Sequence, residues 1–173
     1  MSALTPEEAA QRLAANAPVF DNLVAEVSPE QAVWKPKRSQ WSIIEVVNHL
    51  ADEEVDDFRH RLELTLVDPS VPWPSIDPQG WPAARGYLER DLGESIERFL
   101  GARAWSVAWL LGLSDAGLDR VHEHPSLGRL RAGDLLASWL AHDLIHIRQL
   151  TRLHYRWLEC WAVPYGTAYA GPF

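Results

Sequence analysis

The stretch Trp139-Leu140-Ala141-His142-Asp143-Leu144-Ile145-His146-Ile147-Arg148-Gln149-Leu150 predicts the middle of a long amphipathic helix. At about 3.6 residues per turn, side chains four positions apart share a face, so His142 and His146 project side by side. Two buried imidazoles without partners would cost about 1–3 kcal/mol each, and a shared metal ion would remove that cost. For this pair alone, two core histidines hydrogen-bonded to their neighbours are the simpler interpretation. The apolar stripe that carries both imidazoles toward the core comprises Leu135, Trp139, Leu150, Leu153 and Trp157.

The rest of the chain predicts three more long helices. Thr5-Pro6-Glu7-Glu8 is a helix start, and Pro18 should kink that first helix or split it in two. Ser42 and Glu45 have the spacing of a capping box that opens the second helix. We see no strand alternation, and we predict that residues 112–131 are a loop with short turns. The fold class is therefore all-α, a four-helix bundle, with helices at about 5–27, 42–67, 82–111 and 132–158.

The connection between the second and third helices is rich in proline. Residues 68–81 contain four prolines and cannot form a helix or a central strand. These roughly 14 residues could span about 45 Å, and the preceding helix is about 38 Å long. The connection can therefore cross over the length of the bundle or make a tight turn. We predict a single domain over residues 1–173, with an irregular aromatic tail at about 161–173 that packs on the bundle.

A third histidine changes the interpretation of the pair. His49 lies at the edge of the apolar face of the second helix, and only the fold can bring it to His142 and His146. Three imidazoles suit zinc, nickel or another borderline divalent metal and leave a coordination position open. A closed structural zinc site usually has four ligands that include cysteines, and Cys160 is the only cysteine. His122 and His124, in the predicted loop, are interpreted as loop histidines rather than ligands.

Three motifs together resemble the DinB/YfiT-like superfamily. Residues 41–50 are similar to its "W-S-x-x-E-x-x-x-H-L" helix start, and residues 142–150 to its "H-D-x-x-H-x-x-Q-L" signature. Residues 124–128 resemble the family's loop before the last helix. The resemblance implies a four-helix bundle of up-down-down-up topology, with the proline-rich connection as the crossover. It also implies that the family's metal triad corresponds to His49, His142 and His146.

The resemblance leaves the activity broad. Relatives include S-transferases and isomerases that use low-molecular-weight thiols, and proteins described as metal-dependent hydrolases; many are homodimers. We therefore expect a metal-dependent enzyme with one divalent ion, zinc before nickel, manganese or iron, and a thiol cosubstrate if it is a transferase. The alternatives are a bundle that the metal only stabilises and a metal-free bundle with buried histidines.

Two carboxylates near the proposed ligands have open roles. Glu53 is the candidate catalytic residue, as a general base or as an acceptor for a ligand imidazole, although it could be an ordinary solvated side chain. Asp143 could orient an imidazole or lie on the surface.

Composition limits the partners. The net charge is −8, which disfavours nucleic acid because phosphate binding needs a basic face. The N-terminal residues lack the basic and apolar blocks of a signal peptide, and the single cysteine fits a reducing compartment. We therefore expect a cytoplasmic protein that acts on a small molecule, makes no membrane contact and forms a homodimer.

Overall fold

The computed structural model describes residues 4–114 and 117–173. Helix α1 spans Pro6–Val24 and begins with a capping box, in which the Thr5 hydroxyl accepts a hydrogen bond from the Glu8 backbone N–H at 3.1 Å. Pro18 lies inside α1 without splitting it. A short helix α2, Pro29–Val33, follows.

The second long helix is built from three parts. Helix α3 spans Ile43–Asp52, a π-helical stretch spans Glu53–Phe58, and α4 spans Arg59–Val67. The Glu45 carboxylate accepts a hydrogen bond from the Ser42 backbone N–H at 2.8 Å, as the capping box predicts. The predicted bounds are therefore right, but sequence periodicity did not indicate the wider π-helical turn, a feature found frequently at functional sites.

The third long helix starts ten residues later than predicted. The connection 68–80 is not helical, and it is followed by the short helix α5, Trp81–Ala84, and a 3₁₀ turn at Tyr87–Glu89. Gly86 between them has φ 59°, a left-handed conformation that ends helical continuity. Helix α6 spans Leu92–Leu111 because the Asp91 side chain caps it, accepting from the Glu94 backbone N–H at 2.9 Å.

The predicted loop before the last helix contains a β-hairpin, so the expectation of no strands is wrong. Strands β1, Val121–His124, and β2, Gly128–Arg131, pair antiparallel, and Gly128 at φ 72° begins β2 directly after the turn. Four-residue strands are too short to show alternation in the sequence.

Helix α7 follows the hairpin directly and spans Ala132–Trp161, three residues longer than predicted. In the tail, Phe173 stacks on Tyr155 with ring centroids 4.5 Å apart. Tyr165 and Tyr169 are exposed, so the prediction that the tail packs on the bundle is right only for part of it.

Two apolar clusters form the core where α1, the second long helix, α6 and α7 pack together. One cluster includes Ala132, Leu136 and Trp139 near the start of α7, and the other includes Leu150 and Leu153 further along. The segment of α7 between the two clusters carries His142 and His146. The chain is mostly helical, and its four long helices pack as a bundle. The up-down-down-up order of these helices and the crossover between the second and the third stay predictions.

Candidate metal centre

Three histidine side chains converge from two helices. His49 of α3 and His146 of α7 each place Nε2 close to Nε2 of His142, at 3.3 Å and 3.0 Å respectively. A tetrahedral ion with metal–nitrogen bonds of about 2.0–2.1 Å separates its nitrogen ligands by about 3.3 Å. Within residues 4–114 and 117–173, no carboxylate or cysteine joins this group of potential ligands. The geometry therefore suits three ligands from the protein and an open position.

The other ring nitrogens give an independent test of fit. Nδ1 of His49 and Nδ1 of His146 are buried and have no hydrogen-bond partner. A metal-bound imidazole coordinates through one nitrogen and carries its proton on the other, which it donates to a neighbouring acceptor. Glu53 Oε1 lies 3.8 Å from His49 Nδ1, slightly beyond hydrogen-bond distance. The donor set therefore fits a divalent ion bound through three Nε2 atoms, with Glu53 close to the acceptor position for His49.

The local environment keeps the imidazoles neutral. Burial, together with the neighbouring His146, lowers the pKa of His49 to about 3, and burial contributes most. Burial lowers the pKa of His142 to about 2, with further contributions from His146, His49 and Arg103. Burial also lowers the pKa of His146, while the neighbouring Gln149 side chain and the charge of Asp143 act in the opposite direction. An arriving ion therefore has no proton to displace from these rings at neutral pH.

These shifts predict an acid-sensitive metal-free protein. Below pH 6.5 the unfolded chain protonates His49 and His142 while the folded chain does not, so the unfolded state binds more protons. The free energy of unfolding should fall as the pH drops from 6.5 toward 3, by up to about 1.4 kcal/mol per pH unit for each imidazole. Urea unfolding between pH 7 and pH 4 measures this slope. The slope should be shallower in His142→Gln, and equal slopes in the two proteins would contradict the prediction.

Glu53 is buried, with only 4% of its surface exposed, so the solvated alternative does not apply. Burial, a hydrogen bond with Asp57 and the charge of that carboxylate together raise its pKa to about 9, and burial contributes most. Asp57 in turn pairs with Arg61 at 3.0 Å. Glu53 therefore holds a proton at neutral pH in the metal-free protein, and a cation in the triad would favour its ionised form.

A cavity of about 1010 Å³ opens beside the triad. Trp41 packs on His49 with ring centroids 4.7 Å apart, and Phe58 packs on His142 at 4.9 Å. Glu53 and Asp57 also line this end of the cavity. A small molecule can therefore reach the open side of the triad, which a sealed structural site would not allow.

Asp143 has neither of the roles that the sequence suggested. It is fully buried, and its two carboxylate oxygens accept hydrogen bonds from Arg103 of α6, each at 2.7 Å. Arg103 Nε also donates to Glu54 at 2.6 Å, and Trp139 donates to the same Glu54 oxygen at 2.9 Å. This buried network fixes α7 against α6 at the level of the triad, since Asp143 directly follows His142. The sequence patterns did not indicate this network, although Arg103 shares the apolar stripe of α6 with Phe99 and Leu110, a position typical of buried residues.

His122 and His124 lie away from the triad. The His122 ring stacks on Trp73 with centroids 4.2 Å apart, and its Nδ1 is 2.9 Å from the Pro69 carbonyl oxygen. His124 Nδ1 accepts hydrogen bonds from the backbone N–H groups of the hairpin turn. Both lie on strand β1 rather than in a loop, and their contacts are with local groups.

Comparison with known proteins finds similar proteins by sequence and by structure. A protein of Oceanobacillus iheyensis named "Putative metal-dependent hydrolase OB0782" is 25% identical over 136 residues, which cover 78% of this chain and 77% of that protein. YfiT from Bacillus subtilis, described with its structure as "a probable metal-dependent hydrolase with an unusual four-helix bundle topology", superposes with a TM-score of 0.78. That match has 21% identity and covers 87% of this chain and 86% of YfiT, so it shows a shared fold.

No helix within the described residues is long and apolar enough to cross a membrane.

The sequence profile of the DinB superfamily matches residues 12–150, which include all three histidines. The chain therefore belongs to the DinB superfamily.

Proposed function

We propose that this protein is a metal-dependent hydrolase of a small substrate, with one divalent ion held by His49, His142 and His146. The observation that carries the proposal is the convergence of three neutral Nε2 atoms at one end of an accessible cavity. Zinc is the first candidate because three imidazoles with an open position are a catalytic zinc arrangement. Nickel, manganese and iron are the other ions to test.

When bound, such an ion supplies a nucleophile at neutral pH and polarises the bond to be broken. The three imidazoles keep their Nε2 lone pairs available because burial disfavours their protonation. Glu53 lies beside His49 at the wall of the cavity, where its carboxylate oxygen can accept a proton from the reacting group and return it to the leaving group. Trp41 and Phe58 pack on His49 and His142 and give the triad an apolar flank.

Replacement of Glu53 by glutamine separates stability from catalysis. The amide imitates the protonated carboxyl group, whose folded pKa of about 9 lies above its value in the unfolded chain. As the pH rises above 4.5, the unfolded wild-type chain loses this proton while the folded state keeps it, so the free energy of unfolding falls. Glu53→Gln should therefore make the metal-free protein more stable at pH 7. Hydrolysis should fall by about 10²–10⁴-fold, the usual contribution of a general acid–base.

Thermal melts and steady-state kinetics of the two proteins measure both effects. Asp21→Asn, an exposed carboxylate of α1 outside the cavity, is the control. Unchanged turnover in Glu53→Gln would exclude a catalytic role for Glu53.

Transfer of a small thiol to an electrophile is the second candidate. The volume of about 1010 Å³ is at the upper end of the range for a single small ligand, so the cavity has room for a substrate and a cosubstrate together. A metal site of this kind also favours the thiolate form of a thiol, which is the nucleophilic form. Turnover that requires a low-molecular-weight thiol, with loss of one free thiol per product, would favour transfer over hydrolysis.

The function is tested by loading metal-free protein separately with zinc, nickel, manganese and iron. Each form is assayed against a panel of small esters, amides and electrophiles, with and without added thiols. Turnover that one ion restores, and that His142→Ala abolishes, supports an enzyme. Stoichiometric metal that stabilises the fold without any turnover across the panel would favour the non-catalytic metal-stabilised bundle.

A homodimer and a cytoplasmic location are part of the proposal. The family resemblance supports the dimer, and the single cysteine supports a reducing compartment. Light scattering of the purified protein tests the oligomeric state.

A further inference from the structure

The cavity is a groove that follows one face of α7. His142, His146 and Gln149 line its first part, and Arg152 and Arg156 line its continuation. These positions are three or four residues apart, so they share one side of the helix. At 1.5 Å per residue, Arg152 lies about 9 Å and Arg156 about 15 Å along the axis from His146.

The opposite wall of the groove is the loop 34–41. At one end of this loop, the Trp34 ring packs edge-on against Trp157 with centroids 5.5 Å apart. At the other end, Trp41 packs on His49. The loop therefore runs beside α7 from the level of Trp157 to the level of the triad, and Lys37 occupies its middle.

Charge is distributed unevenly along the groove. The acidic residues Glu53 and Asp57 lie at the triad end. The charged residues of the rest are Lys37, Arg152, Arg156 and Glu159, and Arg156 is paired with Glu159 at 2.8 Å. Within the part of the chain that the structure describes, neither Lys37 nor Arg152 forms an ion pair. Two cations without carboxylate partners thus line the same groove of a protein whose net charge is −8.

We propose that the substrate is an elongated anion, with its reacting group at the triad and a carboxylate or phosphate group between Lys37 and Arg152. This inference rests on the proposed metal-dependent function. The axial spacing of about 9 Å between His146 and Arg152 sets the length of the molecule. Gln149 of α7 lines the groove between the triad and Arg152, so the connecting part of the substrate passes this side chain. Guanidinium and ammonium groups bind either anion through charge-assisted hydrogen bonds.

The test uses hydroxamates as metal-binding probes and measures their Kd on zinc-loaded protein by isothermal titration calorimetry. Acetohydroxamate is the short probe. Alkyl hydroxamates of graded length carry a methyl, a carboxylate or a phosphonate group at the far end. We expect the charged end to improve affinity about tenfold over the methyl end, the effect of one good charge-assisted hydrogen bond. The gain should appear only in probes long enough to reach Arg152, and the better of the two charged ends identifies the anion class.

Variants show which residues are responsible for the gain in affinity from the charged end. Lys37→Gln with Arg152→Gln should remove it, and the affinity of acetohydroxamate should not change. Arg148→Gln is the matched control, because Arg148 is an exposed arginine of α7 that does not line the groove. Circular dichroism melts check that each variant is folded; all three residues are exposed, so we expect little loss of stability.

The outcomes separate the two proposals. If acetohydroxamate binds but a charged end adds nothing at any length, or adds equally in the double variant, the elongated-anion inference is wrong and the metal-dependent function stands. If acetohydroxamate fails to bind zinc-loaded protein, the metal-centred function fails, and this inference fails with it.

Discussion

Replacing His49 by alanine should nearly abolish the stabilisation that zinc gives to this protein. In wild type, zinc at about 1,000 times its Kd should add about 4 kcal/mol to the free energy of unfolding. For a chain of this length that corresponds to a rise in Tm of about 8–16 °C. His142 and His146 lie on one helix and would hold an ion weakly without the third ligand. If His49→Ala lowers affinity about a thousandfold, the same zinc concentration should add only about 0.4 kcal/mol.

The measurement is a set of thermal melts with and without excess zinc. His60→Ala is the matched control, because His60 lies on the same long helix and outside both the triad and the cavity. His49→Ala should fold without metal, since both apolar core clusters remain intact. An equal zinc-induced shift in wild type and His49→Ala would show that His49 is not a ligand, and it would remove the basis for the proposed centre.

Replacing Arg103 by methionine should cost more stability than any surface substitution. Arg103 is 1% exposed and is the cationic partner of Glu54 and Asp143, which are also buried. Removing one partner from a buried ion pair leaves uncompensated charge, typically at a cost of about 3–5 kcal/mol. The expected fall in Tm is about 6–20 °C.

A control and a rescue variant test the mechanism of this loss. Arg129→Met removes an ion pair with Glu123 at 3.4 Å in which both side chains are highly exposed, and its cost should be about 0–1 kcal/mol. Adding Glu54→Gln and Asp143→Asn to Arg103→Met removes the stranded charges and should recover part of the stability. A loss no larger than that of Arg129→Met would contradict a stabilising role for this network.

Local periodicity was enough to predict the helices and the proximity of His142 to His146. Four-residue spacing on one helix is a property of the helix itself, so no tertiary information is needed. His49 belongs to another helix, and its place beside the pair followed from the family resemblance together with its position on the apolar face. The structure brings the three rings together, while their role as ligands stays a prediction.

What the sequence did not predict depends on tertiary contacts or on short segments. The partnership of Arg103 with Asp143 joins α6 to α7, and a single charged residue within a helix is normally assigned to the solvent side. The burial of Glu53 likewise depends on how the helices pack together. The hairpin at 121–131 has strands too short for a periodic signal, and the late start of α6 depends on the cap at Asp91 and the left-handed Gly86.

The packing of Trp41 on His49 also gives the protein an intrinsic optical reporter. Indole emission depends on the groups in contact with the ring, and the Trp81 ring centroid is a further neighbour of His49 at 6.4 Å. Arrival of an ion at the triad should therefore change the fluorescence of these two tryptophans. Zinc has a filled d shell, so it should alter the emission with little quenching, whereas open-shell nickel or manganese should quench it. A fluorescence titration of wild type against Trp41→Phe could thus count bound ions and sort them by electronic class without an added dye.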